Sequence, residues 1–235
     1  MRIDILHGIA GARKARGVAI VIDVFRAFTL APCAFSRGVE RILPVAKVAE
    51  ARRWKTEHPD WILVAERDGK PVDGADFGNS PSQILAADLA GRSLVHTTSA
   101  GTRGLDAARD ADLVLTGAFV NADAVVRHVR ENRPERVSIV AMGSAGIEPS
   151  PEDTACAEYL RDRLRGERPD FHSIADRLRT SPAGRKFGDP ARPWFPAADL
   201  AACLDLNRFD QALLLDRDDA FGRALRPVRA VGGEA

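Results

Sequence analysis

The chain is short of cysteine, of net charge and of long apolar runs, and each shortage removes a class of function. Its three cysteines, Cys33, Cys156 and Cys203, are odd in number and far apart. A disulfide framework is therefore not expected, and without a C-x-x-C pair neither is a zinc or dithiol redox site. Buried thiols in a reducing cytoplasm are the expectation. The formal net charge is +1, so no global field draws the protein to nucleic acid or an anionic membrane, and anion binding has to be local. No apolar run reaches the roughly 18–20 residues that cross a bilayer. Met1 to Leu6 lacks the apolar core of a signal peptide and is expected to open a strand. None of His7, His58, His96, His128 and His172 falls into an H-E-x-x-H spacing, and the G-x-x-x-x-G-K-[ST] phosphate loop is missing.

What is present points to a folded enzyme-sized unit. Hydrophobic residues make up 45% and charged residues 29% of 235, a globular composition. No convincing linker interrupts the chain, so a single domain over residues 1–235 is expected. Val18–Ile22 is continuously apolar, as in a strand buried on both faces, and similar runs recur at Trp61–Ala65, Ser93–Val95, Leu113–Leu115 and Val137–Ala141. Helical patterns lie between and after them, at Val45–Glu57, Thr102–Arg109, Ala122–Asn132 and Asp153–Arg165. This alternation predicts an α/β fold with a mostly parallel or mixed sheet. Residues 166–197 are rich in Gly, Pro, Arg and Asp. They read as a surface excursion with a short helix near Ser173–Arg179, a helix at Ala197–Cys203 after it, and a candidate lid at 181–193. A late strand is expected at Gln211–Leu215 and a frayed tail from Pro227.

In open α/β sheets ligands bind beyond the carboxyl ends of the strands. Five strand ends here deliver carboxylates, arginines, hydroxyls and glycines: Asp23–Thr29, Glu66–Gly69, Thr97–Gly104, Thr116–Asn121 and Gly143–Thr154. Asp23 ends a buried strand, where a carboxylate is costly unless paired or metal-bound. Arg26 is either its salt-bridge partner or a second site residue. Glu66 and Arg67 are either a surface pair or part of the site. Thr97, Thr98, Gly101, Thr102 and Arg103 form the best candidate anion cradle, with hydroxyls and a glycine before a helix and Arg103 as a clamp. His96 adjoins it. Ser150, Pro151 and Asp153 are good helix-start chemistry, with a box-like reciprocal cap. Asn79 and Ser80 before Pro81 also read as a cap, and Asn121 is either a cap or a site residue.

Taken in order, VIDVFRAFT (Val21–Thr29), ER-x-G (Glu66–Gly69), DFGNSP (Asp76–Pro81), TTSAGTRG (Thr97–Gly104), GAFVNA (Gly117–Ala122) and EDTACAEYL (Glu152–Leu160) resemble the 2-phosphosulfolactate phosphatase family of coenzyme M biosynthesis. Ser99-Ala100 departs from the pattern, where Asn often precedes the Gly-Thr pair, and the segment after Gly166 is hard to align. The resemblance implies a three-layer α/β fold and a Mg²⁺-dependent phosphoric monoester hydrolase acting on a small sulfonated hydroxy acid. On that basis Asp23, Glu152 and Asp153 are candidate Mg²⁺ ligands. Residues Thr97 to Arg103, with Asn79, Ser80 and Asn121, would hold the substrate, and Arg26 or Arg67 would neutralise its charge. Attack by water is favoured over an aspartyl-phosphate on Asp23, because Phe25 stands where haloacid-dehalogenase-type enzymes carry a second Asp. The rival readings are a phosphatase for another small anionic ester and a non-catalytic anion-binding protein. An isochorismatase-like hydrolase also begins with a strand ending in Ile-Asp, but this chain offers no later Lys and Cys pair in the order that chemistry needs. Homo-oligomerisation is left open.

Overall fold

The computed structural model describes residues 1–229. The chain runs through β1 (Arg2–His7), α1 (Gly8–Ala12), β2 (Val18–Ile22), α2 (Ala27–Ser36), β3 (Arg41–Pro44), α3 (Val48–Glu57), β4 (Ile62–Arg67), β5 (Lys70–Pro71) and α4 (Pro81–Ala86). It continues with β6 (Ser93–Thr97), α5 (Gly101–Ala107), β7 (Leu113–Gly117), α6 (Ala122–Asn132), β8 (Arg136–Ala141) and α7 (Pro151–Arg165). The excursion holds α8 (Phe171–Thr180), a 3₁₀ turn at Gly184–Lys186 and α9 (Ala197–Cys203), before the hairpin β9 (Ala212–Asp219) and β10 (Gly222–Val228).

All ten strands share one mixed sheet in the order β1-β8-β2-β7-β9-β10-β3-β6-β4-β5. The blocks β1-β8-β2-β7 and β3-β6-β4 are each parallel inside. Between them the hairpin β9-β10 pairs antiparallel with β7 on one side and β3 on the other. The two blocks therefore run nominally opposite ways along the sheet. Twist of about 20–25° per neighbouring pair, over the five pairings from β2 to β6, turns one block on the order of 100–125° relative to the other. Their carboxyl ends consequently meet: Asp23, just past β2, accepts a hydrogen bond from the Gly101 N–H, just past β6, at 2.9 Å.

Helices cover both faces. On β2, Ala19 and Val21 pack into a core with α2 and α5, while Val18, Ile20 and Ile22 pack into a second core with α6 and α7. A third cluster joins Leu63, Ala65 and Val95 to α3. Burial on both faces is why the run at β2 is apolar without alternation, and the polar Ser93, His96 and Thr97 of β6 and Ser138 of β8 are buried with it.

Several expectations shift. Asp23–Thr29 is not wholly a loop, because α2 begins at Ala27 and buries eight of its ten residues. A helix buried on every side has no polar stripe to betray its period. The four-residue β3 and the hairpin partner β10 also went unread, and the late strand runs to Asp219. The tail expectation is corrected at Pro227 and Val228, which pair with Leu213 and Ala212 in β10; residues 230–235 lie outside those described. No helix among the described residues is long and apolar enough to cross a membrane.

Candidate active site

Where the two blocks meet, a cavity of about 610 Å³ opens, walled by Asp23, Glu66, Asp68, Glu148, Glu152 and Asp153, with Arg26 and Lys186 as its cationic side chains. The carboxylates do not merely line it; they hold the strand ends together. Asp23 Oδ1 accepts from the Ala27 N–H at 3.1 Å and Oδ2 from Gly101 N–H, so one side chain ties the starts of α2 and α5. Only glycine fits at 101, since a Cβ there would sit 2.7 Å from Asp23 Oδ2. Asp153 does the same across the first block, accepting from Val24 N–H at 2.8 Å and Gly143 N–H at 2.7 Å. Ser150 caps α7 by accepting from Asp153 N–H at 3.4 Å, with Pro151 in the first turn. The box-like reciprocal bond does not form, because the Asp153 carboxylate is used on β2 and β8 instead.

Glu66 binds the second block: Ser99 N–H and Gly69 N–H each donate to it at 2.7 Å, and Ser99 Oγ at 3.3 Å. Asp68 and Gly69, both at positive φ (53° and 80°), make the two-residue turn from β4 to β5 that presents the Gly69 amide. Gly69 is also required sterically, since a Cβ would lie 2.4 Å from Phe195 Cζ.

The electrostatics follow from crowding. Burial pushes the Asp23 carboxyl up to about 7, helped by the charges of Glu66 and Glu152 and opposed by its two amide bonds. Burial likewise raises Asp153, with Asp23 and Glu152 adding to the effect. Glu152 is raised by burial too, eased back by hydrogen bonding from its own backbone N–H and the Ser150 side chain and, least, by the nearby Lys186 charge. Its Oε2 is buried without a hydrogen-bond partner.

Arg26 is not the partner of Asp23. Its Nη1 pairs with Asp199 at 2.7 Å and donates to Trp194 O at 2.7 Å, while Nη2 donates to Gly69 O at 3.1 Å. The guanidinium lies 4.4 Å from the Phe195 ring centre and 5.9 Å from that of Phe187. Arg26 thus clamps the excursion over the site. Nor are Glu66 and Arg67 a surface pair: Glu66 is buried in the cavity wall. Arg67 turns away and donates to Glu66 O, Ala46 O and Thr97 Oγ1.

The expected cradle is placed differently. The Ser99 and Gly101 N–H groups are taken by Glu66 and Asp23, and the Thr102 N–H by Thr98 Oγ1. Thr97, Thr98 and Thr102 are buried behind the wall. Arg103 is exposed and donates to Ser99 O and Ala145 O. Of that loop, Ser99 and Ala100 reach the cavity. Asn79 reaches it as well, with Oδ1 3.2 Å from His96 Nε2. Burial lowers His96 to about 4, so its ring is neutral at pH 7. Ser80 caps α4 and donates to Asp199 at 2.8 Å. Asn121 gives α6 no side-chain cap; its amide donates to Gln211 O, and Asn207 Oδ1 accepts from Asp123 N–H in its stead.

Sequence reasoning missed Lys186, Phe187, Phe195 and Asp199. Asp199 is fully buried, bonded to Arg26, Ser80 Oγ, and the Ser82 N–H and Oγ. Its only signal, an acid in the first turn of a helix, reads as a dipole partner.

Among the described residues no three His, Cys, Asp or Glu side chains are gathered closely enough to form a metal-ligand set by themselves. Asp23, Glu152 and Asp153 are therefore not a preassembled cage. The donor chemistry nevertheless fits Mg²⁺, which binds through one or two carboxylates, water and substrate oxygen. Glu152 brings an unpartnered buried oxygen, and the surrounding carboxylates bring a charge excess that a cation relieves.

A family model described as 2-phosphosulpholactate phosphatase matches residues 4–187. A protein of Bacillus subtilis (strain 168) named "Probable 2-phosphosulfolactate phosphatase" is 33% identical over 207 residues, 86% of this chain and 89% of that protein. A protein of the same name from Synechococcus sp. (strain CC9605) is 38% identical over 148 residues, 62% of this chain and 60% of its own length. One from Clostridium acetobutylicum is 34% identical over 164 residues, covering 68% and 69% respectively. The motifs that build the carboxylate-walled cavity lie within the matched span, and the chain belongs to the 2-phosphosulfolactate phosphatase family.

Proposed function

We propose that the protein is a Mg²⁺-dependent phosphatase that hydrolyses 2-phosphosulfolactate to sulfolactate and phosphate. One observation supports this beyond family membership: the cavity wall carries six carboxylates against two cationic side chains, one of them already paired with Asp199. An anionic ester enters such a cavity only when a cation bridges it to the carboxylates. When bound, Mg²⁺ would neutralise phosphoryl oxygen charge, with Glu152 the leading ligand and Asp23 and Asp153 beside it. Asp23, on the cavity wall at the start of α2, would accept a proton from the attacking water and return it to the substrate oxygen as its bond to phosphorus breaks. The backbone around Ser99 and Ala100 and the Asn79 amide orient the ester, and Phe187 and Phe195 exclude water from one side.

The test is phosphate release from racemic 2-phosphosulfolactate, with Mg²⁺ and then with excess EDTA. Release abolished by EDTA is expected. Release from other small phosphate esters alone would change the substrate but keep the reaction class. No release from any ester would overturn the proposal in favour of a non-catalytic anion-binding role.

A further inference from the structure

Arg26 and Lys186 are the two cationic side chains on the cavity wall, and the fold treats them oppositely. Arg26 is consumed by the fold: a buried ion pair, two carbonyls and two aromatic faces surround it. The Lys186 ammonium forms no hydrogen bond or ion pair among the described residues. Its backbone is nonetheless well placed. The 3₁₀ turn is secured by Gly184 N–H to Ser181 Oγ at 3.0 Å and Lys186 N–H to Ala183 O at 3.3 Å. The next residue, Phe187, packs edge-on against Phe25 and Phe195, with ring centres 5.2 and 5.3 Å apart. The anchor is thus packed while the ammonium head is exposed to the cavity. Lys186 lies within electrostatic reach of Glu152, yet Glu152 Oε2 also stays unpartnered. Two complementary groups on one wall that leave each other unbonded are each open to something a ligand brings: a cation for Glu152, an acid for Lys186.

Resting on the phosphatase reading above, we propose that Lys186 is the specificity residue that binds the second acidic group of the ester, its carboxylate or sulfonate. It selects phosphate esters that carry a further anion. An ammonium suits this task because it meets either acid as a point charge, without the planar match that a guanidinium demands.

Two readouts on the full chain test it. Calorimetry measures binding of sulfolactate, which has both acids and no phosphate. Kinetics compare 2-phosphosulfolactate with isopropyl phosphate, which has no second acid. In Lys186→Gln, sulfolactate affinity is expected to fall about ten- to a hundred-fold, the usual range for a charge-assisted bond lost. The preference for 2-phosphosulfolactate should fall by a similar factor, through KM rather than kcat, and Lys186→Arg should restore most of both. Arg185→Gln, one residue away and off the wall, is the control and should change neither. Equal losses on both esters, or unchanged sulfolactate binding, would overturn the assignment. Wild-type protein that binds sulfolactate through Lys186 but hydrolyses no ester would sink the phosphatase reading and leave this one standing.

Discussion

The pair Arg26–Asp199 offers a sharp test of how the excursion is held over the site. Asp199 is 0% and Arg26 2% exposed, with 2.7 Å between charged atoms. Asp199→Asn keeps the shape and most acceptors for Ser80 and Ser82 but removes the charge opposite a buried guanidinium. Breaking a buried pair on one side typically costs about 3–5 kcal/mol, mostly from the stranded charge. For a chain of this length each kcal/mol lowers Tm by about 2–4 °C, so a drop of about 6–20 °C is expected. Circular dichroism melts measure it directly. Removing both charges, in Arg26→Met with Asp199→Asn, should cost less than the two single changes added together, because neither charge is then left uncompensated. A melt within 2 °C of wild type for Asp199→Asn, as an estimate well below that range, would refute the reasoning, as would strict additivity in the double variant.

Two further outcomes follow from the site geometry. In metal-free protein Asp23 rises from 3.8 to about 7. Its protonated form is favoured in the fold, so this contribution is fully present below about pH 4 and is lost as pH rises through about 7, on the order of 4 kcal/mol by pH 8. Asp23→Asn does not titrate, so urea unfolding in EDTA should show wild type losing ground to it between pH 4 and pH 8; parallel profiles would count against the assigned cause. Gly69→Ala forces a side chain onto a positive φ, costing about 1–2 kcal/mol, and drives a Cβ into Phe195. Amide exchange at Gly188, which donates to Phe195 O at 2.7 Å, should quicken; unchanged protection there would show that Phe195 does not seat the excursion.

Much of the framework was readable without coordinates, and for a physical reason. Where burial on two faces or an amphipathic period acts locally, as in Val18–Ile22, Ala122–Asn132 and Ala197–Cys203, the bounds found in the chain are those expected. Asp23 is legible because a carboxylate at the end of a buried strand has to be compensated, whereas Glu66 stays open between a surface pair and the site, and Glu152 and Asp153 read as ligands only through the family resemblance. The three acidic positions Asp23, Glu152 and Asp153 and the glutamate at 66 do share one cavity wall.

What the tertiary structure decided is which partner each group takes. The hydroxyls and glycines of Thr97–Gly104 suggest an anion cradle as a segment. In the fold their amides face Asp23 and Glu66, carried there by the twist of a sheet whose blocks run opposite ways. Arg26 meets an aspartate 173 positions away rather than the one three residues before it. Lys186 reaches the cavity through a turn whose composition reads as ordinary surface. Sequence patterns report the burial and periodicity of a residue's own element. The choice of charge partners is made between elements distant in the chain, where only the packed sheet brings them within bonding distance.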